Sequence, residues 1–118
     1  MPTERIRMTF NNVGTTWVEQ EIDGVPARFY ITRVRAEISS GIGTQVALSI
    51  REQSDPDSAL DVPLQYGLTD NPLDSAENEF AQANRTSNRT LNTGKMWVAV
   101  RCDAGTNTIE VALTLVED

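Results

Sequence analysis

Three aspartates in the segment "SDPDSALD" are the first residues whose spacing could support chemistry. Asp55, Asp57 and Asp61 supply carboxylate oxygens, which are ligands that calcium prefers. The segment lacks the glycine and the closing glutamate of an EF-hand loop, and Asp–Pro and Asp–Ser are ordinary turn formers. A surface turn is therefore favoured, and a calcium site at these three positions stays open.

A second acidic cluster lies in "DNPLDSAENE". A pair of carboxylates can hydrolyse a glycosidic bond, but glycosidases also need a deep cleft lined by aromatic residues. A chain of 118 residues has little material for such a cleft. The cluster is predicted to be a solvated loop, and the alternative is a loop that docks onto a basic partner. Its members are Asp70, Asp74, Glu77 and Glu79.

The sequence contains no histidine and a single cysteine, Cys102. The absence of histidine removes the Ser–His–Asp and Cys–His nucleophile systems, the usual zinc ligand sets and the commonest general base near neutral pH. Cys102 shares its parity with Met96, Val98 and Val100 and is predicted to be a small buried residue. We therefore predict no catalytic residue, no metal and no cofactor, and the protein is not expected to be an enzyme.

Two groups of residues suit a sugar. A sugar ring could stack on one or two exposed aromatics among Trp17, Tyr30, Tyr66 and Trp97, although core packing is the more ordinary role of such residues. The segment "NRTSNRT" carries formal glycosylation sequons at Asn84 and Asn88, which are expected to stay unmodified because the N-terminus lacks a secretory signal. Its amide and hydroxyl groups suit a protein partner or a sugar equally well.

Composition limits the class of partner. The length fits one domain, residues 1–118, and the net charge of −7 argues against general nucleic-acid binding. No apolar run approaches the length of a membrane span, so no membrane partner is expected. Nine of the ten cations are arginine, with Lys95 as the exception. Arginine is favoured where protein meets protein, although genomic base composition explains this bias equally well.

Apolar and polar residues alternate along most of the chain, in "RIRMTF", "ITRVRAEI", "TQVALSIR", "KMWVAVRC" and "TIEVALTLVE". Turn-forming residues separate these segments, and no helical periodicity stands out. The pattern predicts an all-β fold, an antiparallel β-sandwich of seven or eight strands with one long loop near residues 70–92. A jelly roll is the preferred topology, because the paired cysteines of many immunoglobulin-like domains are missing.

Charged residues occupy the positions between the apolar ones. In a sandwich each sheet has one face in the core, so Arg33, Arg35 and Arg51 should lie on an outer face. Phe29, Ile31 and Trp97 are expected to share that side, and large apolar groups beside arginines indicate an interface. The predicted partner-binding residues are Arg5, Arg7, Arg33, Arg35, Arg51, Arg85 and Arg89.

The order of "ARFYITRVRAEIS", "TQVALSIRE", a loop-rich middle, "GKMWVAVRCDAG" and "TIEVALTLVED" resembles the small all-β accessory modules of tailed-bacteriophage virions. These include head decoration, or cement, proteins and fibre modules. The resemblance implies a protein that is made in the host cytoplasm, binds the assembled capsid or another virion protein, and stabilises it by protein–protein contacts. It also implies a homo-oligomer, with a trimer preferred. The alternative is a carbohydrate-binding adhesin module of a virion or a cell surface.

Overall fold

The computed structural model describes residues 3–25, 29–51, 64–75 and 95–117. Within these ranges the regular structure consists of eight β-strands, and none of the described residues is helical. The all-β prediction is confirmed. The strands are β1 (Thr3–Val13), β2 (Val18–Asp23), β3 (Phe29–Ser40), β4 (Gln45–Arg51), β5 (Leu64–Asp70), β6 (Leu73–Ser75), β7 (Lys95–Cys102) and β8 (Asn107–Glu117).

The strands form two four-stranded sheets, in which every pair of neighbours is antiparallel. Sheet A has the order β1-β8-β3-β6, and sheet B has the order β2-β7-β4-β5. The predicted antiparallel β-sandwich is therefore confirmed. The strand pairs are nested, β1 with β8, β2 with β7, β3 with β6 and β4 with β5, which is the pairing that the jelly-roll prediction requires. The jelly roll itself remains a prediction.

The core lies between the two sheets and is built from the apolar alternation seen in the sequence. Val46, Leu48 and Ile50 on β4 are buried, as are Val98 and Val100 on β7. Burying a side chain of this size contributes roughly 2 kcal/mol. Cys102, the next inward position on β7 after Val100, is also buried, as predicted. Burial raises the pKa of its thiol. The largest fully buried residues of sheet A are Phe10, Ile31, Ile109, Leu113 and Leu115.

A β-bulge in β3 overturns one prediction. Ile31 pairs with Leu115 and Arg33 pairs with Thr114, so the strand holds one extra residue, Thr32. Such a bulge reverses the alternation that precedes it. Ile31 is consequently 1% exposed and belongs to the core, and the prediction that it shares an outer face with Arg33 is wrong. The side chain of Phe29 lies outside the described part.

Strand β6 begins within the segment that the sequence analysis assigned to a loop. Leu73 is buried against the core, and β6 pairs with residues 34–36 of β3. Three residues are too short for an alternation signal, which explains the error. The Asn71 side chain supports this turn because its Oδ1 accepts a hydrogen bond from the backbone N of Ile38 at 2.9 Å. Residues 76–94, which hold most of the predicted long loop, lie outside the described residues.

The edges of the two sheets are joined on one side of the sandwich. Gln20, on the edge strand β2, donates from Nε2 to the backbone carbonyl oxygen of Thr9 at 2.6 Å. Thr9 belongs to β1, the edge strand of sheet A. A side chain of one sheet thus binds a backbone group at the edge of the other.

A buried asparagine holds one end of the sandwich together. The side chain of Asn107, which is 2% exposed, donates from Nδ2 to the carbonyl oxygens of Val13 at 2.9 Å and Ala104 at 2.6 Å. Its Oδ1 accepts from the backbone N of Gly43 at 2.8 Å. Gly105 has a φ of 146°, and a Cβ there would collide with the Asn107 amide. The amide therefore joins the end of β1, the β3–β4 loop and the β7–β8 turn.

Asp103 makes a second connection between the same two loops. Its Oδ1 accepts from the backbone N atoms of Thr44 at 2.9 Å and Gln45 at 3.0 Å, and its Oδ2 accepts from Thr44 Oγ1 at 2.7 Å. These bonds favour the charged carboxylate. The hydrogen bond from the Thr44 side chain is the largest cause that lowers the pKa of Asp103 to about 2, from 3.8.

Replacing Asn107 by Ala should lower the free energy of unfolding by about 3 kcal/mol, since it leaves a buried N–H and two carbonyl groups without partners. Urea denaturation gives this value. Thr106→Ala is the matched control, because Thr106 is exposed and its loss should cost less than about 0.5 kcal/mol. Equal urea midpoints for the two variants would contradict the proposed role of Asn107.

The lowered pKa of Asp103 makes part of the stability depend on pH. Its contribution is fully present above pH 3.8 and is lost as the pH falls through about 2, because the unfolded carboxyl group protonates first. We expect Asp103→Asn to melt at a lower temperature than wild type at pH 7. The difference should shrink as melts are repeated between pH 4 and pH 2, and a constant difference would speak against this assignment.

Candidate functional site

The outer face of sheet A gathers charged side chains from four strands into three rows across the sheet. The register aligns the outward residues of these strands into three sets. The first set is Arg5, Thr114 and Arg33; the second is Arg7, Ala112, Arg35 and Asp74; the third is Thr9, Glu110 and Glu37. Consecutive rows stand two residues apart along each strand, which is about 6.8 Å. We name these rows by their charge. They are the basic row (Arg5, Thr114, Arg33), the central row (Arg7, Ala112, Arg35, Asp74) and the acidic row (Thr9, Glu110, Glu37).

Small residues on β8 form the floor of a trough along this face. Ala112 and Thr114 lie on the middle strand, and longer side chains on β1 and β3 form its walls. Two adjoining depressions of about 280 Å³ and about 420 Å³ share Arg7, Arg35 and Ala112. The smaller depression is lined by the basic row, and the larger one reaches the acidic row. The trough therefore has opposite charge at its two ends.

Asp74 binds both arginines of β3. Its carboxylate lies 2.6 Å from Arg35 Nη1 and 3.4 Å from Arg33 Nη2. Arg35 Nη2 also contacts Glu37 Oε2 at 3.0 Å, and the hydrogen bonds that Arg35 donates to Glu37 and Asp74 raise its pKa. These pairs are partly exposed, with 63% of the Arg33 and 41% of the Arg35 side chain accessible. They orient the guanidinium groups rather than stabilise the fold.

The arginines of β1 differ from those of β3. Arg5 and Arg7 are exposed, and neither forms an ion pair with another residue in the described part of the chain. Their charges are available to a partner. The acidic row shows a related feature, because Glu37 and Glu110 stand directly opposite each other on adjacent strands. Like charges in that position destabilise a sheet, so this pair favours the approach of a cation.

The structure brings together four of the seven predicted partner-binding arginines, Arg5, Arg7, Arg33 and Arg35, on this face. Arg51 does not join them. It belongs to β4 and pairs with Trp97 in sheet B, so the expected single face holding Arg33, Arg35, Arg51 and Trp97 is wrong. The alternation within each strand was correct, but sequence alone does not tell which sheet each strand joins.

Other predicted positions are not described by the structure. Arg85 and Arg89 lie outside the described residues, as do the candidate calcium ligands Asp55, Asp57 and Asp61. In the part of the chain that is described, no group of three or more acidic or cysteine side chains is arranged to hold a metal ion. The described residues include no helix of the length and apolar character needed to cross a membrane.

Six members of the three rows were not predicted as partner-binding residues, namely Asp74, Ala112, Thr114, Thr9, Glu37 and Glu110. Asp74 was assigned to a solvated acidic loop, although this residue lies on β6 and contacts two arginines. Ala112 and Thr114 were placed on a strand but were given no role in the site. Their signal was present, because the alternation of "TIEVALTLVE" gives both of them the same outward parity as Glu110.

The tryptophans lie in other surroundings. The guanidinium carbon of Arg101 stands 5.1 Å from the centroid of the Trp17 ring, a cation–π contact. This contact occupies one face of the ring that a sugar would need. Trp97 is half-buried on β7 beside Ala99, which is fully buried. The candidate sugar contacts of the sequence analysis are thus partly covered within the protein itself.

Comparisons with known proteins show likeness of fold alone. No family model and no curated protein matches the chain. A solved structure from the appendages of Bacillus endospores, described as disulfide-linked pili, is 11% identical with a TM-score of 0.50, over 97% of this chain and 84% of that one. At this identity the likeness supports the sandwich fold and says nothing about function.

Two further solved structures are less alike. PliG from Aeromonas hydrophila, a periplasmic inhibitor of g-type lysozyme, is 7% identical with a TM-score of 0.43, over 98% of this chain and 86% of that one. A chain from the acid-stable capsid of Helicobacter pylori bacteriophage KHP30 is 10% identical with a TM-score of 0.42, over 93% of this chain and 92% of that one. Likeness at this level carries no argument.

Replacing Asp74 by Asn should leave the melting temperature close to that of wild type, since exposed ion pairs contribute little to stability. Differential scanning calorimetry at low and moderate salt gives the comparison. A large loss of stability would show that Asp74 supports the fold, and the outer face of sheet A would then owe its charge arrangement to folding rather than to a partner.

Proposed function

We propose that this chain is a non-enzymatic structural protein of a tailed-phage virion, which binds the assembled shell and stabilises it through protein–protein contacts. One observation carries the proposal. Four arginines gather on one outer sheet face, around small floor residues, in a chain whose net charge is −7. The basic end of this face attracts an acidic protein surface, while its acidic row and the acidic remainder of the molecule repel such a surface.

The chemistry of the face suits a protein partner. Arginine offers five donors in a planar fork, which bind carboxylates in two places at once, and it is enriched at interfaces. Arg5 and Arg7 need give up no ion pair within the described residues in order to bind a partner. The trough is shallow and open, which suits an extended segment or a sheet surface better than a small molecule.

Rigidity supports the same role. The described loops at one end of the sandwich are fixed by Asn107 and Asp103, and the edges of the two sheets are joined by Gln20. A stiff body that contacts two neighbouring shell subunits resists their separation. The protein would act mechanically, made in the host cytoplasm and located in the virion. The predicted trimer remains a prediction.

The test uses a variant in which Arg5 and Arg7 are replaced by Glu. Labelled protein is mixed with particles purified from a lysate of the strain that encodes this chain, and cosedimentation is measured. Wild type should sediment with the particles, while the variant should stay in the supernatant because its face now repels acidic surfaces. These two arginines are preferred to Arg33 and Arg35, since reversing the latter would crowd acidic groups around Asp74.

The matched control is Glu21→Arg, a charge reversal on β2 at an exposed position of the other sheet. It should attach as wild type does, and all variants should show the wild-type melting curve. Attachment of the Arg5, Arg7 variant would remove this face from the contact. A wild-type protein that ignores the particles but changes its tryptophan fluorescence with polysaccharides would replace the proposal by the carbohydrate-binding alternative.

A further inference from the structure

The outer face of sheet A is complementary to itself. Its basic row and its acidic row lie on opposite sides of the central row, at about 6.8 Å each. A two-fold axis along the central row would therefore place the basic row of one copy over the acidic row of another. An interface between two copies related by a two-fold axis has this property, in which each patch meets its complement twice.

We propose that this face seats a second copy of the chain, so that the protein forms a two-fold dimer with the sheet A faces packed together. The inference rests on the face used in the proposed function, and the second copy occupies that face in solution, so the shell and the second copy compete for the same arginines. In this dimer, β3 of one copy lies over β3 of the other and β1 lies over β1. The two strands of each pair run in opposite directions. The trough of one copy is then closed by the other.

The positions of the charges support this pairing. After the rotation, Arg33 of one copy lies over the partner's Glu37, since both belong to β3 and stand one row from the axis. Arg5 and Arg33 both lie within about 5 Å, in the plane of the sheet, of the position of the partner's Glu110, because neighbouring strands are about 4.8 Å apart. Glu37 already contacts Arg35 within its own chain, and the partner's arginines add further cations beside Glu37 and Glu110.

The central row lies on the axis and meets itself. Ala112 is small, so it lets the two sheets approach to about the 10 Å that separates packed sheets. Arg35 is compensated by Asp74 and Glu37 and brings little net charge to this contact. Arg7 lies opposite Arg7 of the other copy, and its side chain is long enough to turn toward the partner's Glu110.

The area of the face is sufficient for a weak dimer. β8 has 11 residues, and three long strands about 4.8 Å apart with about 3.4 Å per residue cover about 500 Å². Two copies would bury about 1,000 Å², which is the lower end of specific interfaces. A dimer of this kind should depend strongly on salt, because its specificity comes from exposed charges.

Sedimentation velocity of the purified chain provides the first test. The monomer has a mass of 13.0 kDa, so the dimer has about 26 kDa, twice that value. We expect the dimer at about 50 mM salt and a shift toward monomer at about 500 mM, where the Debye length falls to a few ångströms. Glu21→Arg, on the other sheet, should behave as wild type. A monomer at low salt and high protein concentration would overturn the proposal.

A charge exchange provides the second test. One variant combines Arg5→Glu with Arg33→Glu, and another combines Glu37→Arg with Glu110→Arg. Each alone should be monomeric at low salt, because its two rows then have the same sign. An equal mixture should form a heterodimer, since both contacts are again between opposite charges. Self-association of either variant, or no association in the mixture of folded proteins, would contradict the two-fold arrangement.

The variants carry a structural risk, since position 37 contacts Arg35 and position 33 contacts Asp74. Thermal melts establish that each one folds, and the milder pair Arg5→Gln and Glu110→Gln replaces any that does not. These neutral variants should weaken the dimer and reduce its salt dependence.

The two proposals can fail separately. A dimer that does not bind virus particles would support this inference and contradict the proposed function, while a monomer that binds the particles would support the proposed function and contradict this inference.

Discussion

The hydrogen bonds of the Asn107 amide are the constraint on which the rest of the structure depends. Its three partners belong to the end of β1, the loop between β3 and β4, and the turn between β7 and β8. Each of these segments lies where the chain passes between sheet A and sheet B. A single buried side chain thus connects all three crossings at one end, and a Cβ at Gly41, Gly43 or Gly105 would collide with it.

The charge rows of sheet A follow from that constraint. Arg5 reaches its place beside Thr114 only if β1 keeps its register against β8, and the bond from Asn107 to Val13 holds the far end of β1 where its register shifts. Arg33 reaches the same row because the bulge at Thr32 sets the parity of the rest of β3. The outer face is therefore as well defined as the core behind it.

Much of this fold could be predicted, since alternation identifies strands and their inner sides wherever a strand is long. "TQVALSIR" and "KMWVAVRC" gave β4 and β7 almost to the residue. The bulge at Thr32 and the three-residue β6 gave no such signal, because each is shorter than the period that reveals it. The assignment of Arg51 failed for another reason, since the partner of a strand depends on contacts far apart in the chain.

The bond between Gln20 and Thr9 has a consequence for solubility. Open sheet margins carry unpaired amide and carbonyl groups, and in many proteins they recruit further strands until fibrils grow. Here a glutamine from the opposite layer already occupies one of those carbonyls at the margin of β1. The charged residues that flank it on both layers discourage another strand from adding there. A strand that added along that side would have to displace the Gln20 side chain from this carbonyl.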